Sequence, residues 1–138
     1  MARSKSGRRT MIAALMASFE AWDVVRIPFP YTDRPVRQHR PALVVAAVLR
    51  ERAQGLLWVL MITSAENRGW SDDVVVSDLR LAGLPAPSVV RPAKIATIEA
   101  RDADRLGRLA AADRAKVAAG LRRILAKLVP NKRSQTLR

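Results

Sequence analysis

The first part of the chain shows the two-residue period of β-strands. Residues 24–29 alternate between two sets of side chains, which predicts a half-buried strand. Pro28 and Pro30 cannot donate to a β-ladder, so this strand is expected to lie at a sheet edge or to end there. Residues 30–41 combine prolines, other turn-forming residues and basic side chains, and this composition predicts a loop.

Two uninterrupted apolar runs follow, at 42–49 and 56–62. Their length and valine content favour strands buried on both faces over short helices. The second run ends in Thr63 and Ser64, and residues 51–55 are predicted to form the turn between the two runs. The next segments are predicted as a polar loop at 64–72, a short strand at 73–77, a turn region at 81–87, and one strand or two over 88–98, interrupted at Pro92.

Beyond residue 100 the apolar residues recur at helical spacing. They form one stripe, which consists of Val117, Leu121, Ile124, Leu125 and Leu128. The helix is expected to end before Pro130, because the residue before a proline disfavours the helical conformation. Strands followed by one long helix predict an α+β domain, in which a small, strongly curved antiparallel sheet or barrel packs against the C-terminal helix.

The composition excludes several classes of protein. A length of 138 residues suits one domain. No uncharged run approaches the roughly 20 residues that cross a bilayer, which excludes a transmembrane protein. The chain has no Cys and one His, so a disulfide, a structural zinc site and a cysteine nucleophile are excluded.

The net charge of +13 indicates a polyanionic partner, but the charge is concentrated at the two ends of the chain. Residues 20–100 carry ten basic and nine acidic side chains, whereas residues 101–138 carry eleven basic and three acidic ones. Residues 1–15 are interpreted as a basic extension, either an over-long start assignment with the true start at Met16 or a disordered arm. A single domain at 16–129 and a basic tail at 130–138 complete the predicted organisation.

Polar side chains cluster where the two apolar runs begin and end. If the two strands pair antiparallel, Arg40 and Thr63 meet at one end of the sheet. A guanidinium and a hydroxyl together suit a phosphodiester; the alternative is that Arg40 covers the sheet edge and Thr63 caps a strand. The cluster consists of Arg34, Arg37, Gln38, His39 and Arg40 before the first run, and of Thr63, Ser64, Asn67 and Arg68 after the second.

Other candidate chemistry is weaker. The six glycines are isolated and form no phosphate-binding loop, and no nucleophile elbow accompanies His39. Asp72 and Asp73 are adjacent and would point to opposite faces of a strand, so they are interpreted as a turn at the entry of a strand. Trp70 stands in an otherwise polar loop, where it either stacks on an unpaired base or packs under the loop.

Four segments of the chain resemble, in order and spacing, the PemK/MazF toxins of bacterial type II toxin–antitoxin systems. They are Trp22-Asp-Val-Val-Arg-Ile-Pro-Phe-Pro-Tyr-Thr-Asp33, Arg40-Pro-Ala-Leu-Val-Val45, Ile62-Thr-Ser-Ala65 and Leu106-Gly-Arg-Leu109, within a resemblance that covers about residues 19–128. The resemblance implies an SH3-like β-barrel with a C-terminal helix, assembly into a homodimer, and neutralisation by an acidic antitoxin that is encoded nearby.

The same resemblance implies a cytoplasmic endoribonuclease that cleaves single-stranded RNA without a metal or another cofactor. In this reaction the ribose 2′-hydroxyl attacks its own phosphate and leaves a 2′,3′-cyclic phosphate and a 5′-hydroxyl. The catalytic arginine of the family falls on Arg40, and its catalytic threonine falls on Thr63. RNA contacts are expected from Arg34, Arg37, Gln38, His39, Ser64, Arg68, Trp70 and Arg91.

One departure from the family bears on catalysis. Some relatives carry an acid followed by Gln where this chain has Ala93 and Lys94, and that acid is their proposed general base. Glu66 and Asp72 are the candidates to replace it. The departure also keeps a second hypothesis open: a non-catalytic binding module on the same fold, which binds nucleic acid or blocks a protein target such as gyrase. A third hypothesis is that the cationic C-terminal helix binds a membrane surface. The apolar stripe that suggests this role is explained more simply by packing on the barrel.

Overall fold

Six antiparallel strands form one curled sheet in the computed structural model, which describes residues 19–29, 38–50 and 54–127. Their order across the sheet is β4-β5-β3-β2-β1-β6. The predicted antiparallel sheet with a C-terminal helix is confirmed. The strands are β1 (Asp23–Phe29), β2 (Gln38–Arg50), β3 (Gln54–Ser64), β4 (Val74–Val75), β5 (Ser88–Glu99) and β6 (Asp104–Arg108).

Within the described ranges, two α-helices and two 3₁₀-helices join this sheet. They are a 3₁₀-helix at Ala65–Asn67, α1 at Leu79–Ala82, a second 3₁₀-helix at Ala100–Asp102, and α2 at Ala111–Ala126. The side chain of Asp78 caps α1 by accepting from the Leu81 N–H, and Gly83 ends the helix with φ +72°. A side chain at Gly83 would collide with the backbone of Leu106, so glycine lets α1 lie directly against β6.

Both faces of the sheet are packed, and each has its own apolar cluster. We call the side that contacts α2 the helix face and the opposite side the far face. Val24 lies on the helix face and Val25 on the far face, and neither is exposed to solvent. The prediction of a half-buried β1 is therefore wrong at this end, because both sides of the strand are covered. The helix-face cluster includes Leu43, Leu60, Ile62, Val90, Leu109 and Val117, and the far-face cluster includes Phe19, Ile27, Ala42, Val59, Met61 and Ala103.

The loop predicted at 30–41 is wrong for its last four residues, which belong to β2. β2 begins at Gln38, because antiparallel pairing with β1 continues until Gln38 lies opposite Phe29. Gln38, His39 and Arg40 are therefore strand residues, and Pro41 lies inside the strand rather than at its boundary. Residues 30–37 lie outside the described part of the chain.

The second half of the sheet differs from the prediction in three places. β5 is one continuous strand, but its register against β3 shifts: Arg91 lies opposite Met61, whereas Ile95 lies opposite Leu60. The extra residues include Pro92, so the proline is accommodated in a β-bulge instead of dividing the strand. β4 is shorter than the predicted strand at 73–77. β6, which pairs with β1, was not predicted.

The apolar stripe of the C-terminal helix is only partly buried. Val117 is fully buried and Leu121 packs against the same cluster, but Leu125 is 64% exposed. Leu128 lies outside the described residues. Of the helices in the described ranges, none combines the length and the hydropathy that a bilayer-spanning segment needs.

Candidate functional site

Arg40 and Thr63 lie on neighbouring strands at the same end of the sheet. β2 and β3 are antiparallel, with Ala42 opposite Met61. The paired register ends there, and Arg40 and Thr63 each lie two residues beyond it, at the same end of the two strands. Because side chains alternate along a strand, both residues belong to the far face, as Ala42 and Met61 do. A guanidinium and a hydroxyl group therefore share one end of this face.

Apolar residues flank these two polar groups. Arg40 lies opposite Ile27 of β1, and Thr63 lies opposite Val89 of β5; both apolar partners are buried. Arg40 is half-buried, and its Nε atom is buried. Low-dielectric surroundings strengthen the interaction of a guanidinium with an anion, so the position suits a phosphate ligand.

Asn67 is brought back to Thr63 by a single turn of helix. The 3₁₀-helix at Ala65–Asn67 begins directly after β3, and the Ser64 hydroxyl caps it by accepting from the Glu66 N–H at 3.3 Å. This turn lets the Asn67 amide donate to the Thr63 hydroxyl at 3.2 Å. The sequence placed Asn67 in the polar cluster after the strand but gave it no separate role; its position four residues after Thr63 was the available signal.

A two-point ion pair joins Arg91 of β5 to Asp73, which precedes β4. The Arg91 Nε and Nη2 atoms donate to the two carboxylate oxygens of Asp73 at 3.1 and 3.0 Å. The two side chains are only 9% and 8% exposed. Asp73 also accepts from the backbone N–H groups of Gly69 and Trp70 at 3.3 and 3.2 Å. This carboxylate therefore organises the whole turn between residues 69 and 73.

Burial raises the pKa of the Asp73 carboxyl, but its hydrogen bonds and its proximity to Arg91 lower it further than burial raises it. The Trp70 and Gly69 N–H groups act in the same direction, and the net pKa lies below the usual value of 3.8. Asp73 is therefore charged at neutral pH and serves as an acceptor. The interpretation of residues 72 and 73 as a turn at the entry of a strand agrees with this position, but the pairing of Asp73 with Arg91 was not predicted.

Trp70 lies on the surface of the same turn. Its ring is stacked on the Arg91 guanidinium, with 4.1 Å between the Arg91 Cζ atom and the ring centroid. Trp70 remains 52% exposed, so the indole rests on Arg91 and still presents area to solvent. Arg91 itself lies beneath the turn, where Nη2 also donates to the Asn67 carbonyl at 2.7 Å.

The other predicted site residues are more scattered. Gln38 and His39 are exposed at the start of β2, and by alternation His39 belongs to the helix face, opposite to Arg40. Ser64 and Arg68 are exposed beside the 3₁₀-helix. Arg34 and Arg37 lie outside the described residues.

The two carboxylates proposed as substitutes for a general base differ in their surroundings. Glu66 is exposed in the 3₁₀-helix after Thr63. Asp72 is mostly buried and bound to Arg123 of α2 at 2.7 Å. Ala93 and Lys94 are exposed in the bulged part of β5. Within the described ranges, no group of three His, Asp or Glu side chains is arranged to hold a metal ion.

Comparison with protein families gives one match. Residues 20–125 match the family described as PemK-like, MazF-like toxin of type II toxin–antitoxin system. The matched range contains every described residue of the site, from Gln38 to Arg91. A comparison with curated protein sequences finds no significant match.

Three of the solved structures that share this fold match most of the chain. A MazE–MazF complex from Deinococcus radiodurans has 25% sequence identity and a TM-score of 0.59, and the match covers 78% of this chain and 94% of that chain. The Mycobacterium tuberculosis toxin MazF-mt6 has 25% identity and a TM-score of 0.55, with 74% and 95% covered. A mycobacterial endoribonuclease in complex with its cognate antitoxin shares the fold at 22% identity and a TM-score of 0.59, with 80% and 97% covered.

Proposed function

The chain belongs to the PemK-like, MazF-like toxin family of type II toxin–antitoxin systems, and we propose that it is a metal-independent, sequence-selective endoribonuclease. The substrate is single-stranded RNA. The observation that carries the proposal is the placement of Arg40 and Thr63 on neighbouring strand ends of one face, next to an amide that is hydrogen-bonded to the threonine. This combination supplies positive charge and a hydroxyl donor to one phosphate group.

In the proposed reaction, the ribose 2′-oxygen attacks the adjacent phosphorus while the bond from phosphorus to the 5′-oxygen breaks. The products are a 2′,3′-cyclic phosphate and a 5′-hydroxyl. Arg40 neutralises the charge that develops on the non-bridging oxygens. The Thr63 hydroxyl accepts from Asn67, so its own proton remains available for donation to a phosphate oxygen.

A base must remove the proton of the 2′-hydroxyl, and Glu66 is the better candidate. It is exposed and three residues beyond Thr63. Asp72 is mostly buried, and its carboxylate is already engaged in an ion pair with Arg123. The 5′-oxygen takes up a proton from water as it leaves. The role proposed for Arg40 is electrostatic, through the charge and the N–H donors of its guanidinium.

RNA binding is proposed for the exposed polar and aromatic groups around this pair. Trp70 supplies a ring for stacking on an unpaired base, since its indole is half exposed. The remaining contacts are assigned to Arg34, Arg37, Gln38, His39, Ser64 and Arg68, with Arg91 acting from beneath Trp70.

The partners follow from the family and from the charge. The structures with the same fold include a MazE–MazF complex and an endoribonuclease with its cognate antitoxin. We infer that this chain also binds an antitoxin, and the net charge of +13 favours an acidic one. A homodimer and action in the cytoplasm, where messenger RNA is available, belong to the same proposal.

The test is cleavage of single-stranded RNA by the purified protein in EDTA, followed by analysis of the RNA ends. We expect products with a 5′-hydroxyl. Arg40→Ala and Thr63→Val should each lose most of the activity and keep the thermal unfolding temperature close to that of the parent. Arg26→Ala is the matched control, because Arg26 is an exposed β1 arginine that pairs with Asp104. Full activity in both site variants would overturn the assignment.

A non-catalytic binding module is the second candidate. It is favoured by the residues at 93 and 94, where this chain has Ala and Lys in an exposed bulge instead of the acid of some relatives. RNA binding without products, in EDTA and in Mg²⁺ alike, would select this candidate over the nuclease.

A further inference from the structure

The turn that carries Trp70 is held by polar contacts, and Trp70 itself is not among the residues that pack on either apolar cluster. The side chains of Asp73 and Arg91, which supply these contacts, are both buried. The backbone of the turn includes Gly69 at φ +131° and Asp72 at φ +71°. A positive φ costs free energy at a residue other than glycine, so the conformation depends on contacts that compensate for it.

The ion pair provides these contacts at both ends of the turn. The Asp73 carboxylate accepts from Gly69 and Trp70, which fixes the backbone beside the indole. The Arg91 guanidinium binds the Asn67 carbonyl and supports the Trp70 ring from below. Asn67 in turn donates to Thr63. One pair of charges is thus linked to the base-stacking surface and, through Asn67, to the hydroxyl of the candidate catalytic threonine.

We propose that Asp73 and Arg91 are positioning residues of the RNA site, whose ion pair holds Trp70 and Asn67 in the arrangement that engages RNA beside Thr63. The inference rests on the proposed function, because it assigns a role within the same site. It also gives Arg91 a role that differs from a direct RNA contact, since its guanidinium is occupied by Asp73 and Asn67.

The chemistry of the pair makes substitutions informative. Asp73→Asn retains the size of the side chain and one carbonyl oxygen, but removes the charge and one of the two oxygens that bind Arg91. Arg91→Lys retains the charge, but a single ammonium cannot reproduce the planar two-point contact together with the bond to Asn67. Both variants should therefore loosen the turn, and the second does so without changing the net charge of the protein.

The experiment is a double-mutant cycle between Asp73→Asn and Trp70→Ala, with Arg91→Lys and Trp70→Ala as a second cycle. Affinity for a labelled single-stranded RNA of mixed sequence is measured by fluorescence anisotropy, and kcat/KM is measured on the same RNA. Asp73→Asn and Arg91→Lys should each weaken RNA binding about fivefold or more, within the range for loss of a stacked base. In the Trp70→Ala background, each should change the affinity less than twofold, because the ring that the pair positions is absent.

The matched control is Asp104→Asn, which breaks an exposed ion pair with Arg26 and should leave RNA affinity and kcat/KM unchanged. Affinity losses that add in both cycles would overturn the proposal, as would unchanged RNA affinity in Asp73→Asn and Arg91→Lys. If Asp73→Asn does not fold, the cycle with Arg91→Lys decides. A protein that binds RNA but never cleaves it would contradict the proposed nuclease, while the binding cycles would still test the positioning role.

Discussion

The side-chain amide of Asn67 donates a hydrogen bond to the hydroxyl of Thr63 at 3.2 Å, across the single 3₁₀ turn that follows β3. A threonine hydroxyl has one proton to donate, and it accepts through its lone pairs. By occupying an acceptor position, Asn67 directs the Thr63 proton away from the turn. The pair thus orients a hydroxyl donor at the end of the far face.

Asn67→Ala is expected to lower kcat about twofold to tenfold, the range that corresponds to one hydrogen bond of ordinary strength. KM should change little, because the amide acts on Thr63 rather than on distant parts of the RNA. Asn67 is exposed, so the free energy of unfolding should change by less than about 0.5 kcal/mol. Single-turnover cleavage and urea unfolding measure the two effects. An unchanged kcat in Asn67→Ala would show that Thr63 does not depend on this contact.

Trp70→Ala should weaken the binding of single-stranded RNA by about 1–3 kcal/mol, the range for loss of a base stacked on an aromatic ring. Trp70→Phe should recover part of this loss, because it retains an aromatic ring. Trp58 provides the control: it is 46% exposed, but it precedes Thr63 by five residues and belongs to the helix face. Equal loss of affinity in Trp58→Ala and Trp70→Ala, measured by fluorescence anisotropy, would contradict a specific role for Trp70.

Much of the sheet was predictable because its strands carry periodic or continuous apolar residues. β3 follows directly from the run at 56–62, and its antiparallel pairing with β2 brings Arg40 to the same end of the sheet as Thr63. β6 was missed because three of its five residues are charged and the strand is held by backbone pairing with β1. An edge strand without a buried face leaves little periodic signal.

The support of the site could not be derived from local sequence. Asp73 and Arg91 are separated by 18 positions, and they meet only because β4 pairs with β5 in one register. The bulge at Pro92 also cannot be derived from local sequence, and it determines which residues of β5 lie opposite Met61 and Leu60. Sequence reasoning proposed Arg40 and Thr63 as the phosphate-binding pair, but the contacts around them depend on tertiary structure.

Asp73 should make folding sensitive to acid. Its pKa in the folded protein lies below the usual value of 3.8, so between these two values the unfolded chain binds more protons than the folded one. The stabilisation is fully present above about pH 4 and is lost as the pH falls through the folded pKa. Asp73→Asn should therefore lower the free energy of unfolding at pH 7. In this variant the free energy of unfolding should also fall less steeply as the pH is lowered below about 4. Urea unfolding between pH 2.5 and pH 7 measures both effects. The same dependence of the free energy of unfolding on pH in the parent and in the variant would contradict the prediction.

Asp113 should contribute to stability without contributing to RNA binding. It is 1% exposed in the first turn of α2, and one carboxylate oxygen accepts from both the N–H and the hydroxyl of Ser77 at 2.9 Å. Asp113→Ala leaves the Ser77 groups without this acceptor and should cost about 1–3 kcal/mol. Ser77→Ala removes only the hydroxyl and should cost less. Urea unfolding compares the two variants. An equal loss of unfolding free energy would show that the hydrogen bond from the Ser77 N–H to Asp113 does not contribute to stability.

The basic tail should affect RNA binding through charge alone. Residues 130–138 contain Lys132, Arg133 and Arg138. Each contact between a cation and a phosphate of single-stranded RNA adds about 0.7 to the slope of log affinity against log salt. Removing three such contacts should therefore reduce this slope by about 2. Replacing the three residues by Gln, at constant chain length, should have the same effect as deleting the tail. Identical slopes for the parent and both variants, measured by anisotropy between 50 and 300 mM salt, would exclude the tail from the RNA interface and assign the attraction to the folded domain.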